Sequence, residues 1–305
     1  MTFSCFCITI ILVLYEIIFF IYLPQKGMDS LMDKQRITEL SEIARKIRVG
    51  IIDAVHSAKS GHPGGSLSIA DVLAYLYFEE MNIDPKDPKK ADRDRLVLSK
   101  GHCAPGLYSA LAQRGYFPVE DLKTFRQTSS YLQGHPDMKH TPGVDMTSGS
   151  LGQGASVSAG MALSGKIDSK SYRVYAILGD GETEEGQVWE AAMFAGNRHL
   201  SNLCWLVDYN GLQIDGKLEE VNNPAPYPEK FRAFGWNVVE CDAHDFDSIE
   251  AAYKAARACA DKPTVIISHS VKGKGVSFME NNVSWHGAAP NDEQYEVAMA
   301  DLGER

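Results

Sequence analysis

The sequence predicts an α/β domain, a parallel sheet with helices on both faces. Three observations carry this. Short apolar runs without polar alternation recur at residues 96–98, 174–178, 203–207, 236–239 and 264–267. Helical periodicity fills the intervals, at 184–200 and 246–260 among others. The runs end in turns rich in Gly, Asp and Asn. Unbroken apolar strands separated by helices mark a sheet covered on both sides.

Ile37, Leu40, Ile43, Ile47, Ile51 and Val55 step by three and four residues, with Glu39, Glu42, Arg45, Lys46 and Arg48 between them, so one buried helical stripe is expected. Ser60-Gly61-His62-Pro63-Gly64-Gly65 then ends the helix. Ser68 followed three residues later by Asp71 predicts a capping box for the next helix, which carries Leu73, Leu76 and Tyr77. Ligands in such sheets lie beyond the carboxyl ends of the strands, so the turns there are the place to look for function.

The chain has 305 residues, with 30 Lys and Arg against 40 Asp and Glu, a net charge of −10. Apolar residues at 44% and charged residues at 23% exclude disordered and collagen-like classes. An acidic balance argues against a nucleic-acid partner held by its phosphates. Six cysteines fall at no zinc-finger spacing, so a reduced, cytoplasmic protein without a disulfide framework is expected. Residues 1–31 form a separate hydrophobic extension. Residues 3–23 carry a single charge, Glu16, and are long enough to span a bilayer. The extension reads as an upstream start-site artefact, with translation beginning at Met28 or Met32, or as a membrane anchor. The α/β domain is expected over 32–305.

The run at 174–178 ends at Gly179-Asp180-Gly181, and the run at 203–207 ends at Asp208-Tyr209-Asn210-Gly211. If the two strands are neighbours, Asp180 and Asn210 point into one crevice and form part of a hard-cation site that Mg²⁺ completes with phosphate oxygens and water. The glycines allow close approach of a bulky anion, and the helix that follows presents its N-terminus to it. Glu182, Glu184 and Glu185 crowd that helix start and oppose an anion. No lysine stands near in sequence, so the cation is expected to do the neutralising. On these residues alone, a tight turn with a solvated acidic cap is an equal reading.

Context extends the motif. SGHPGGSLS at 60–68, RDRLVLSKGH at 93–102, QGHPD at 133–137, TSGSLGQG at 147–154, GDGETEEGQVWEA at 179–191, DYNGLQIDG at 208–216 and WHG at 285–287 resemble the transketolase family, in the family's order. The resemblance covers nearly everything from Gln35 to Leu302 and implies the thiamine-diphosphate-binding fold of the family's diphosphate-binding (PP) domain. Single-chain members continue into a second α/β domain and a carboxyl-terminal domain, and the resemblance here is to the first, diphosphate-binding domain alone. The chain therefore resembles the amino-terminal subunit of a split transketolase.

That resemblance implies two-carbon ketol transfer from a ketose phosphate to an aldose phosphate, with thiamine diphosphate and Mg²⁺ (or Ca²⁺ or Mn²⁺ in its place). It implies activity only with a carboxyl-terminal partner subunit that brings the pyrimidine-binding domain, as an α₂β₂ heterotetramer. It assigns the metal to Asp180, Asn210 and the Leu212 carbonyl. It assigns the cofactor to His102, Gly149, Ser150, Leu151, Gly181, Asn210 and His286. Substrate falls to His62, His135 and His286, and proton transfer to His62 and His286. Glu185 matches a glutamate in a proton network across the subunit interface. Four histidines in Gly/Pro-containing turns suit this chemistry, since imidazole gives and takes protons near neutral pH.

Other readings fit less well. Gly149-Ser150-Leu151-Gly152-Gln153-Gly154 has the wrong spacing for a dinucleotide fingerprint, and no phosphate-binding G-x-x-x-x-G-K-[ST] is present. Lys272-Gly273-Lys274-Gly275 reads as a basic turn, and Cys103 beside His102 lacks an orienting group for a thiol nucleophile. A subunit of another thiamine-diphosphate enzyme, similar to a deoxyxylulose-phosphate synthase or a 2-oxo acid dehydrogenase, and a non-catalytic regulatory subunit remain as alternatives.

Overall fold

The computed structural model describes residues 32–304 except Asp215. The extension up to residue 31, with its apolar segment, lies outside them. From Lys34 onward the chain forms one unit. Its elements are helix α1 (Lys34–Ala58), α2 (Pro63–Leu67), α3 (Ala70–Tyr75), strand β1 (Arg95–Leu98), α4 (Ala104–Arg114), α5 (Gln153–Ile167), β2 (Val174–Gly179), α6 (Gly186–Asn197) and β3 (Leu203–Tyr209). A small antiparallel pair follows, β4 (Leu212–Gln213) and β5 (Gly216–Lys217). Then come α7 (Leu218–Val221), α8 (Tyr227–Ala233), β6 (Asn237–Asp242), α9 (Phe246–Ala258), β7 (Thr264–His269) and α10 (Asp292–Asp301).

All five predicted apolar runs are strands of one parallel sheet, in the order β1-β2-β3-β7-β6. Side chains alternate across a strand, so an unbroken apolar run implies two covered faces. On one face Val174, Ala176, Leu203, Trp205 and Val265 pack with Ala155 and Ala159 of α5 and Ala192 and Ala195 of α6. On the other, Tyr175 meets Tyr253 of α9, which stacks on Tyr75 of α3. Trp205 is fully buried and its indole N–H donates to Ser158 Oγ at 2.9 Å. Truncating it to Ala would cost about 3–5 kcal/mol.

Two local expectations are corrected. The capping box at Ser68 is absent: α3 has no side-chain cap, Ser68 Oγ donates to Asp208 Oδ2 at 2.7 Å, and Asp71 pairs with Arg48 and His244. Long-range partners outcompete the local motif. The helix expected from residue 184 begins at Gly186, because a 3₁₀ turn at Gly181–Glu184 comes first. Among the described residues, no helix is long and apolar enough to cross a membrane.

Candidate active site

β2 and β3 are adjacent and parallel, with Gly179 opposite Asp208. That register brings the turns after both strands to one end of the sheet. Asp180 Oδ2 accepts the backbone N–H of Asn210 at 2.9 Å and of Gly211 at 2.7 Å; Oδ1 accepts Gly181 N–H at 2.8 Å. Asp180 and Asn210 therefore converge as expected, on the wall of a cavity of about 300 Å³ that Gly181 and Leu212 also line. Asp180 is 3% exposed, and among the described residues its hydrogen bonds come from backbone amides, with no ion pair. Burial, and then the neighbouring Asp208, push its pKa up to about 6. A buried carboxylate beside an amide oxygen and a backbone carbonyl fits a divalent cation, which would supply the missing counter-charge.

The same cavity is lined by imidazoles. His62, His102 and His286 lie with ring centroids 5.1 Å apart (His62–His102), 5.6 Å (His62–His286) and 5.1 Å (His102–His286). Desolvation lowers all three, His62 and His102 to about 4 and His286 to about 3. The next cause is His102 for His62, Lys100 for His102 and Lys272 for His286. All three are neutral at pH 7 and so able to accept or share a proton. Among the described residues, His62 Nδ1 is buried without a hydrogen-bond partner.

Close backbone approach builds the remaining wall. A Cβ on Gly101 would lie 2.7 Å from the Gly149 nitrogen, so only glycine lets the turn carrying His102 meet the loop carrying Gly149 and Leu151. Both of these line the cavity; Ser150 between them is exposed. His135 packs against Gly149 and is exposed, as is Glu185, at the N-cap of α6. Ser150, His135 and Glu185 thus stand outside the cavity lining.

The expectation of no nearby lysine is wrong, and so is the reading of Lys272 as a plain basic turn. Lys100 and Lys272 both line the cavity and are each 2% exposed. Lys100 Nζ pairs with Asp208 Oδ2 at 2.6 Å, which holds Lys100 above and Asp208 below their ordinary pKa values despite full burial. Lys272 Nζ donates to the Leu212 carbonyl at 3.1 Å and lies 3.1 Å from His286 Nδ1; burial lowers its pKa. Each lysine follows a strand and a short turn, the same signal that singled out Asp180. The acidic helix start is also resolved. Glu182 accepts from Gly152 and Gly179 amides at 2.8 and 2.9 Å and from Ser99 Oγ. Glu184 accepts from Gln213 Nε2 at 2.7 Å. Cys103 is fully buried with its thiol pushed up by that burial, so it is no nucleophile.

Residues 40–304 match the family model "Transketolase, thiamine diphosphate binding domain". The chain is 47% identical over 271 residues to a 6-deoxy-6-sulfo-D-fructose transketolase subunit of Clostridium sp. (strain MSTE9), covering 89% of this chain and 98% of that one. It is 42% identical over 263 residues to an apulose-4-phosphate transketolase subunit of Phocaeicola vulgatus, covering 86% and 93%. Against the solved transketolase of Campylobacter jejuni the TM-score is 0.83 at 34% identity, over 89% of this chain but 43% of that one. The chain spans nearly the whole length of these two subunits and less than half of that single-chain transketolase. It belongs to the transketolase family, as that family's thiamine diphosphate-binding domain.

Proposed function

We propose that this chain is the amino-terminal subunit of a two-subunit transketolase that moves a two-carbon ketol unit between sugars bearing an anionic group. One observation carries the reading: three imidazoles held well below their usual pKa line one cavity with the buried carboxylate of Asp180. Both subunit relatives are named for ketoses carrying a sulfo or phosphate group, which supports an anionic donor here. The partner is a carboxyl-terminal subunit, and an α₂β₂ assembly follows if each cavity is completed between chains.

Asp180, Asn210 and the Leu212 carbonyl would hold Mg²⁺, with Gly181 and Asn210 beside the diphosphate. Lys272 reduces the anionic charge that the metal must offset. Gly149, Ser150 and Leu151 would cradle the aminopyrimidine through backbone groups. When bound, thiamine diphosphate supplies the nucleophilic carbon and the electron sink. The side chains supply orientation and proton transfer. His62 and His286 take and return the proton of the substrate hydroxyl next to the breaking C–C bond, as neutral imidazoles can. His102 lies beside the cofactor, and His135, from the rim, contacts the donor's hydroxyls. Glu185 is exposed where a partner chain would cover it.

Mixing the purified chain with its partner subunit, Mg²⁺ and thiamine diphosphate should give ketol transfer, read by mass spectrometry of the product sugars. The chain alone should turn nothing over. Full activity from this chain by itself would refute the split reading. Cofactor binding without ketol transfer in the complex would favour another thiamine-diphosphate enzyme or a regulatory subunit.

A further inference from the structure

The turn at residues 271–275 is fastened at both ends to one buried carboxylate. Asp71, 6% exposed, receives Arg48 Nη1 at 3.0 Å and Nη2 at 2.5 Å. The same Asp71 Oδ2 lies 2.7 Å from His244 Nδ1. His244 Nε2 in turn accepts the backbone N–H of Val271 at 3.0 Å. Arg48 continues past Asp71 and donates Nε to the Lys274 carbonyl at 3.1 Å. With a carboxylate on one ring nitrogen and an amide donor on the other, His244 is the neutral Nδ1–H tautomer. Between the two fastened residues sits Lys272, whose ammonium reaches the Leu212 carbonyl and His286.

We propose that Arg48, Asp71 and His244 are positioning residues that set Lys272 in the cavity; the inference rests on reading that cavity as a diphosphate site. Four elements contribute: α1 supplies Arg48, α3 supplies Asp71, the loop between β6 and α9 supplies His244, and the turn after β7 receives them. A buried ion pair serving stability alone need not terminate on backbone groups of a distant turn, and apolar residues of similar volume stabilise a core as well. Here both outer members of the network end on the two residues that bracket Lys272. The exchange of a flexible lysine for a fixed one is what the arrangement provides: four rotatable bonds start from a backbone held at residues 271 and 274. Losing such a supporting contact typically weakens binding about 10- to 100-fold.

His244 is the member to change, because Asp71 also neutralises Arg48. His244→Gln offers an amide oxygen to Val271, whereas His244→Ala offers nothing. Two readouts apply in the two-subunit enzyme with Mg²⁺: calorimetric affinity for thiamine diphosphate, and hydrogen exchange at the Val271 amide. The expected result is a loss of at least about tenfold in affinity and loss of Val271 protection for His244→Ala, with both largely restored by His244→Gln. Should His244→Ala not fold, His244→Asn keeps a donor for Asp71 and removes the Val271 acceptor, and it should give the same two losses. Parental affinity in a folded His244→Ala enzyme whose Val271 amide has opened would overturn the inference and leave the functional reading standing. A parent complex that binds no thiamine diphosphate would overturn the functional reading, and this inference with it.

Discussion

Lys272 Nζ stands 3.1 Å from His286 Nδ1, which makes that nitrogen the acceptor and leaves the imidazole proton on Nε2. A neutral histidine thus has its tautomer chosen by a lysine fourteen residues earlier in the chain. Lys272→Met should remove both this choice and a cation from the cavity. Hydrogen bonds from charged groups contribute about 1.5–3 kcal/mol, so cofactor affinity should fall roughly 10- to 100-fold. Isothermal titration of the assembled complex checks this, and an unchanged affinity would contradict the role given to Lys272.

Asp180→Ala should abolish metal-dependent retention of thiamine diphosphate, since the buried carboxylate is the principal charged donor of its wall. Gel filtration of the loaded complex, with cofactor quantified by absorbance and with EDTA as the metal-free control, reads the result. Retention equal to the parent would remove Asp180 from the metal site.

Lys100→Met should cost about 3–5 kcal/mol of folding stability, because it leaves the Asp208 carboxylate buried and unpaired. Among the described residues Asp208 would keep Ser68, Ser270 and the Asn210 amide. Urea unfolding of the isolated chain measures this. Replacing both Lys100 and Asp208 by apolar residues should lose less than Lys100→Met alone.

The lowered histidines give a pH prediction. Their unfolded pKa is about 6.5, while His62 and His102 lie at about 4 and His286 at about 3 when folded. Below pH 6.5 the unfolded chain takes up protons that the folded chain refuses, so stability falls as pH drops toward 4 and is fully present above 6.5. Denaturation midpoints between pH 4 and 7 should show this slope, and His286→Asn should flatten it. Histidine NMR signals from these rings should stay in the neutral form from pH 6 to 8.

Glu185→Gln should leave the isolated chain within about 0.5 kcal/mol of the parent, as exposed substitutions do, yet reduce turnover of the two-subunit enzyme. Parallel melting and steady-state measurements separate the two effects. Unchanged turnover would return Glu185 to an ordinary surface acid.

The sheet was legible because four of its five strands are buried on both faces, which leaves little polar alternation to confuse the pattern. Asp180 and Asn210 were legible for a related reason: each follows a strand, and neighbouring parallel strands deliver such residues to one place. Lys272 was missed because it opens a Lys-Gly-Lys-Gly turn and nothing local announces that a lysine will be 2% exposed. The turn after β7 packs against Gly64 and Leu212, which buries Lys272. Asp71 was misread for the opposite reason. Its spacing from Ser68 satisfies a local rule, but Arg48 and His244 offer it stronger distant partners.

Asp180, Lys272 and the three imidazoles line one cavity within this chain, whereas Ser150, His135 and Glu185 are exposed outside its lining. On the two-subunit proposal, such a chain serves as a preformed template. Joining a partner would then cover a rim without refolding a core, so the onset of turnover after mixing should scale with the product of the two chains' concentrations.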